Sequence, residues 1–139
     1  MPDWPQDYQP MLGSLLDAGL RVLVYAGARA CGLDQSKKIN NNTCKARRSY
    51  TGLDDLTCPW LGLQRALRAM PWRGQAAFAA TAPAELLVNG ALVGREWRAG
   101  ALAFVTVDGA GHEVPMDQPA VAQHLIQRFI EADSLQRFE

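Results

Sequence analysis

The sequence predicts an α/β fold built on two parallel strands, a hairpin and flanking helices. Two nearly unbroken apolar runs, residues 20–27 and 101–107, are separated by a long crossover that contains a helical stripe. Strands joined in that way lie parallel in one sheet. Between them the Asn89-Gly90 pair splits the apolar run 85–88 from 91–93, a strong hairpin signal. Two parallel strands alone make a thin layer with too few neighbours to cover both faces. The pattern therefore reads as the end of a larger α/β protein.

Taken in order, Met11, Leu12, Leu15 and Leu16 fall at helical spacing within residues 7–19, which stop at Gly19, a good C-terminal signal. Leu20-Arg-Val-Leu-Val-Tyr-Ala-Gly27 reads as the first strand. Residues 28–53 break the pattern, because Arg29, Lys37, Lys38, Lys45, Arg47 and Arg48 stand against a lone Asp34 around Asn40-Asn41-Asn42. A loop of that length points to a lid, an insertion or a disordered stretch. Leu63, Ala66, Leu67 and Met70 then make an apolar helical stripe ended by Pro71. The second hairpin strand runs on toward Trp97. Asp117 is expected to cap a last helix through Phe129, with Pro119 near its first turn and Val121, Leu125, Ile126, Phe129 and Ile130 inward.

Composition excludes several function classes. The 139 residues are 48% hydrophobic and 20% charged, which suits one ordinary globular domain. Fourteen basic and fourteen acidic side chains cancel, so no net field favours nucleic acid or an anionic membrane as partner. The basic stretch lacks interleaved aromatics and a helical face, so it too reads as solvated loop. The start, Met1-Pro-Asp-Trp-Pro-Gln-Asp-Tyr8, has neither the basic residues nor the apolar core of a secretory signal, and no apolar run is long enough to span a bilayer. Read literally, the chain is soluble and cytosolic. Cys31, Cys44 and Cys58 are an odd count; Cys31 and Cys44 either close a small loop in an oxidising compartment or stay free. No C-x-x-C or H-x-x-x-H spacing occurs, so no metal site is expected.

The chemistry-bearing position is His112. It lies in Phe104-Val-Thr-Val-Asp-Gly-Ala-Gly-His112-Glu-Val-Pro-Met-Asp-Gln-Pro119, where a strand runs into a small-residue turn carrying one imidazole. Open α/β sheets place ligands and chemistry beyond the C-terminal ends of their strands, and a histidine there is a general base if a carboxylate holds its far nitrogen and a nucleophile faces the near one. Asp34, Asp54 and Asp55 follow the first strand. Spacing does not choose among them. His124, between polar Gln123 and Gln127, reads as a surface or boundary residue.

The segment Tyr50-Thr-Gly52-Leu-Asp-Asp55-Leu-Thr-Cys58-Pro-Trp60-Leu-Gly62 resembles, without a gap, the Y-A-G-D-x-D-x-x-C-N-W-x-G segment of serine carboxypeptidases. Residues 102–119 resemble the same family's histidine signature, G-A-G-H-x-V-P with a downstream D-x-P. Pro71-Trp72-Arg-Gly74 with Phe78 is similar to its L-x-W-x-G-x-x-x-F, and Leu15-Leu16-Asp-Ala-Gly19-Leu-Arg-Val22 to its L-L-x-x-G-x-x-V lead-in. The resemblance covers most of the chain except about residues 29–49. It implies that residues 1–139 form the C-terminal part of an α/β-hydrolase domain, with a basic loop insert at about 29–49. Tyr25-Ala-Gly27 and Tyr50-Thr-Gly52 bracket that stretch as echoes of one motif.

By the same resemblance Asp55 orients the catalytic His112 of a serine triad, Cys58 lies near the substrate pocket, and no cofactor is needed. The competing readings are a helix N-terminal carboxylate for Asp55 and a small buried filler for Cys58. The expected reaction is hydrolysis of the last peptide bond at peptide or protein C-termini, in a vacuolar, lysosomal or secreted setting. In that setting Asn41, of Asn41-Asn-Thr43, is a glycosylation acceptor. The family's nucleophile sits in G-x-S-x-[AG], and none of Ser14, Ser36, Ser49 or Ser134 does. A complementary N-terminal chain carrying the serine is thus expected. Leu53 and Pro59 also depart from the family pattern. The alternative is a non-catalytic binding or interaction module, a truncated and inactive hydrolase half.

Overall fold

A computed structural model of the chain describes residues 8–28 and 59–136. The elements run α1 (Gln9–Asp17), β1 (Val22–Ala28), α2 (Trp60–Ala69), α3 (Gln75–Ala80), β2 (Ala84–Val88), β3 (Ala91–Ala99), β4 (Leu102–Asp108), α4 (Val114–Asp117) and α5 (Pro119–Gln136). The four strands form one sheet in the order β1-β4-β3-β2. β1 is parallel to β4, and the other pairs are antiparallel. The expected parallel pair is present, and the hairpin extends the sheet from β4 outward. Asn89 and Gly90 both take positive φ, 53° and 79°, as a two-residue turn matched to strand twist requires.

Helices cover both faces. On one side Val105, Val107, Leu86 and Val88 pack with Ala110, Val114, Val121, Ala122 and Leu125 from the turn and α5. On the other, Leu102, Phe104 and Trp97 pack against Leu16 of α1, Leu67 and Met70 at α2, and Phe78 of α3. The two strands were expected to lack cover, yet every residue from Leu102 to Val107 is buried. Two features of the sequence explain this. The hairpin shields the outer edge of β4, and α3, whose six residues are too short to show a helical period, brings the fully buried Phe78 against the sheet. Phe104 lies 5.5 Å from the Trp97 ring, which stacks on Trp60 of α2 at 6.4 Å between centroids.

α5 is tied to the sheet by charge as well as by its apolar face. Arg128 Nη2 donates to Glu96 Oε2 at 2.6 Å, and Arg98 Nε donates to Glu96 Oε1 at 2.9 Å. At the next residue of the helix, Phe129, the carbonyl accepts from Arg21 at 2.7 Å, and the Arg21 guanidinium lies 4.6 Å from the Phe129 ring centre. Burial acts to raise the Glu96 carboxyl, but the hydrogen bonds and charges of Arg128 and Arg98 outweigh it and hold the group below its ordinary value of 4.5. A depressed carboxyl contributes stability that is full above that ordinary value and is lost as pH falls through the lower folded value. Glu96→Gln is expected to cost about 1–2 kcal/mol at neutral pH, a figure reduced because both guanidiniums are partly exposed. Urea unfolding should show the gap closing under acid.

Candidate functional site

The site is built where β4 ends. Asp108 closes the strand, Gly109 turns the chain with φ of 75°, a conformation other residues rarely adopt, and Ala110 and Gly111 are buried. His112 and Glu113 then face solvent, and Val114 returns to the core at 1% exposure. The histidine is thus carried between two buried anchors. The single turn of α4 follows, with the amides of Met116 and Asp117 donating to the Glu113 carbonyl. Asp117 was expected to cap the last helix. Instead it ends α4, α5 starts at Pro119, and the Asp117 carboxylate reaches back to accept the Gly111 N–H at 2.7 Å.

β1 closes the other side of this turn. Its register with β4 runs from Val22 opposite Leu102 to Ala28 opposite Asp108, so the two strands end level. Chain leaving β1 starts beside the histidine turn. Gly27 makes that closeness possible: a methyl at its Cα would overlap the carbonyl oxygens of both Ala110 and Gly111. Gly27 therefore sets how closely the strand end and the turn approach. Its role, and that of Asp117, escaped the sequence reading, although a small residue at a strand's end is a legible sign of close backbone approach.

Of the other residues singled out from sequence, Asp55, Cys58 and Asn41 lie outside the described residues, as do Asp34, Asp54, Cys31 and Cys44. Among the described residues no group of three or more His, Cys, Asp or Glu side chains is gathered to hold a metal. Nor is any helix there long and apolar enough to cross a membrane. Asp108 is the strand residue that leads into the histidine turn. Burial pushes it above its ordinary value of 3.8, with Arg95 pulling the other way.

Two apolar grooves flank β1. One, of about 680 Å³, lies along α5 between Tyr25, Pro115, Pro119, Leu125 and Ile126 and so adjoins the histidine turn. The other, of about 410 Å³, lies on the opposite face between Met11, Leu12, Val24 and Leu63. Tyr25 and Val24 are neighbours on β1 pointing to opposite faces, as strand geometry requires. Among the described residues, β1 is an edge strand.

The family model for serine carboxypeptidases matches residues 36–132, well over half of the chain. This chain belongs to the serine carboxypeptidase family. It is 36% identical over 129 residues to serine carboxypeptidase 3 of Triticum aestivum and, at the same identity and length, to serine carboxypeptidase 3 of Hordeum vulgare. A serine carboxypeptidase-like protein of Pisum sativum is 33% identical over 127 residues. These alignments cover 93%, 93% and 91% of the chain but 21%, 20% and 36% of the three relatives. The chain thus spans about a fifth to a third of their length. The four-stranded mixed sheet with helices on both faces is consistent with part of the α/β-hydrolase sheet. The residues that resemble the family's histidine signature fall on the turn that β1 and Asp117 hold.

Two measurements check this geometry. Gly27→Ala should cost about 1–3 kcal/mol, the range for forcing a methyl into packed structure, because the backbone carbonyls it meets have no rotamer to yield. Chemical denaturation, with NMR shift changes centred on residues 109–112, would register both effects. Asp108→Asn should raise the melting temperature at neutral pH. A carboxyl whose folded value is raised penalises the ionised fold, and the penalty disappears as pH falls below the ordinary value of 3.8. Melting curves of mutant and wild type should therefore converge under acid.

Proposed function

We propose that this chain supplies the histidine and aspartate of a serine carboxypeptidase triad, with the nucleophilic serine carried outside these 139 residues. The observation that carries the reading is the exposed imidazole of His112 on a turn braced from both sides at the C-terminal end of a parallel pair, in a chain of this family. His112 takes the serine's proton as the hydroxyl attacks the last peptide bond, then returns it to the departing amino acid. Asp55 holds the imidazole in the tautomer that leaves its near nitrogen free, and stabilises the cation that forms. The acyl-serine left by that attack is then hydrolysed by a water whose proton His112 takes and returns to the serine as the shortened peptide leaves, and no metal or organic cofactor enters either step.

The edge of β1 supports a complementary, serine-bearing portion as partner, whether in one longer polypeptide or in a second chain. β1 is apolar toward both faces, and the grooves on either side of it leave Met11, Leu15 and Ile130 exposed. Parallel strands ordinarily have both faces covered. Substrates are peptide or protein C-termini. A secreted, vacuolar or lysosomal setting follows from the family, as does a single partial domain interrupted by the basic stretch at about 29–49. Cys58 is assigned to the pocket wall by the family motif, and Asn41 to glycosylation by its Asn41-Asn-Thr43 sequon in such a setting.

The 139-residue chain alone should release no C-terminal amino acid from peptides above background. Joined to its serine-bearing portion it should do so, and His112→Gln should lower the rate by about 10⁴- to 10⁶-fold, as loss of a triad member does. Chromatographic assay of released amino acids reads both. Release by the isolated chain, or an assembled enzyme indifferent to His112→Gln, would refute the proposal.

A further inference from the structure

The geometry points to Asp117 as the positioning residue for His112, acting through the Gly111 amide. This rests on His112 being the base, as proposed above. Position Gly111 is the last backbone unit before the histidine, and both of its polar groups are engaged. Its carbonyl, with that of Ala110, lies against the bare Cα of Gly27, and its N–H is held by Asp117 Oδ2 at 2.7 Å. At that distance, to an ionised acceptor, the bond is of the stronger charge-assisted kind. Both peptide planes that meet at Gly111 are therefore restrained: the Ala110–Gly111 plane by the Asp117 hydrogen bond and by the contact of its carbonyl with Gly27, and the Gly111–His112 plane by the contact of its carbonyl with Gly27.

The reach of Asp117 depends on α4. The amides of Met116 and Asp117 donate to Glu113 at 2.9 and 3.0 Å, and Gln118 donates to Val114 at 2.8 Å. That single turn folds the chain back, so residues 111–117 form a ring closed by one side chain. Val114 and Ala110 seat the ring in the core. His112 and Glu113 are its exposed members. Without the carboxylate the ring opens at Gly111, and the histidine loses the restraint on its N-terminal side while Val114 still holds the other. A general base displaced by about 1 Å costs on the order of 10²-fold in rate, so a short turn needs such a clasp to keep one imidazole orientation.

The test reads the ring directly, by NMR on the 139-residue chain. In wild type the Gly111 amide should exchange slowly and His112 should give a single sharp imidazole Cε1–H correlation. Asp117→Ala should speed Gly111 exchange at least tenfold and shift or broaden the His112 correlation, with the β4 amides unchanged. Asp117→Asn keeps a carbonyl oxygen able to accept the N–H, so it should restore both signals. Gly111 protection surviving Asp117→Ala, a His112 signal that does not move when that protection is lost, or Asp117→Asn behaving like alanine would each overturn the inference. If Asp117→Ala fails to fold, the wild type and Asp117→Asn decide: fast Gly111 exchange in either one overturns it. The readout does not depend on catalysis. An ordered ring in an assembled protein without peptidase activity would refute the catalytic reading and leave the clasp standing.

Discussion

The parallel pairing of β1 with β4 is the constraint on which the site depends. It brings the ends of two strands, distant in sequence, to the same level at Ala28 and Asp108, so the chain leaving one strand starts where the other presents its turn. A one-residue slip would send every β1 side chain to the opposite face. Val24 would leave the layer with Leu63 and Leu67, and Gly27 would no longer lie under the Ala110 and Gly111 carbonyls. Register, close approach and turn geometry therefore stand or fall together. The helices on both faces hold the pairing in place, α2 through the stack of Trp60 on Trp97 and Phe104, α3 through Phe78, and α5 through Leu125 and the Arg128–Glu96 ion pair.

A division of labour follows along β4 and its turn. The strand is buried from Leu102 to Val107 and supplies rigidity, while the turn exposes two residues, His112 and Glu113, between buried neighbours. Backbone held between buried neighbours in this way has already lost much of its conformational freedom on folding. This mount for the histidine is also compact. One strand end, one helical turn and the Asp117 carboxylate build it within a chain that spans about a fifth of its cereal relatives' length.

Much of this was legible in the sequence. The apolar runs at 20–27 and 101–107 appear as the parallel pair, and Asn89-Gly90 makes the hairpin turn. Residues 102–119, which resemble the family's histidine signature, occupy the strand and turn read from the sequence and a short helix, α4, that was not. What escaped was set by contacts between distant segments. α3 spans only Gln75–Ala80, under two turns, and is made visible by Phe78 reaching the core rather than by any periodicity. Asp117 carries a good helix-capping side chain just before a proline, and local rules assign it to the helix that follows. The Gly111 N–H, six residues upstream and otherwise buried without a strand partner, is the stronger claim on that carboxylate. Gly27 looked like the end of a strand, and only the approach of the turn shows why no side chain fits there. Asp55 and Cys58 were legible as family motif positions and lie outside the described residues.

Whether the imidazole serves a nucleophile from beyond these residues is the central claim, and chemical trapping tests it most directly. The native protein, isolated from its source and treated with a fluorophosphonate, should carry the label on a single serine in a G-x-S-x-[AG] sequence outside residues 1–139. Labelling should fade when His112 is alkylated beforehand. Tandem mass spectrometry of the digested adduct locates the phosphonylated residue. A label on Ser14, Ser36, Ser49 or Ser134, or one that forms equally well after His112 is blocked, would contradict the account.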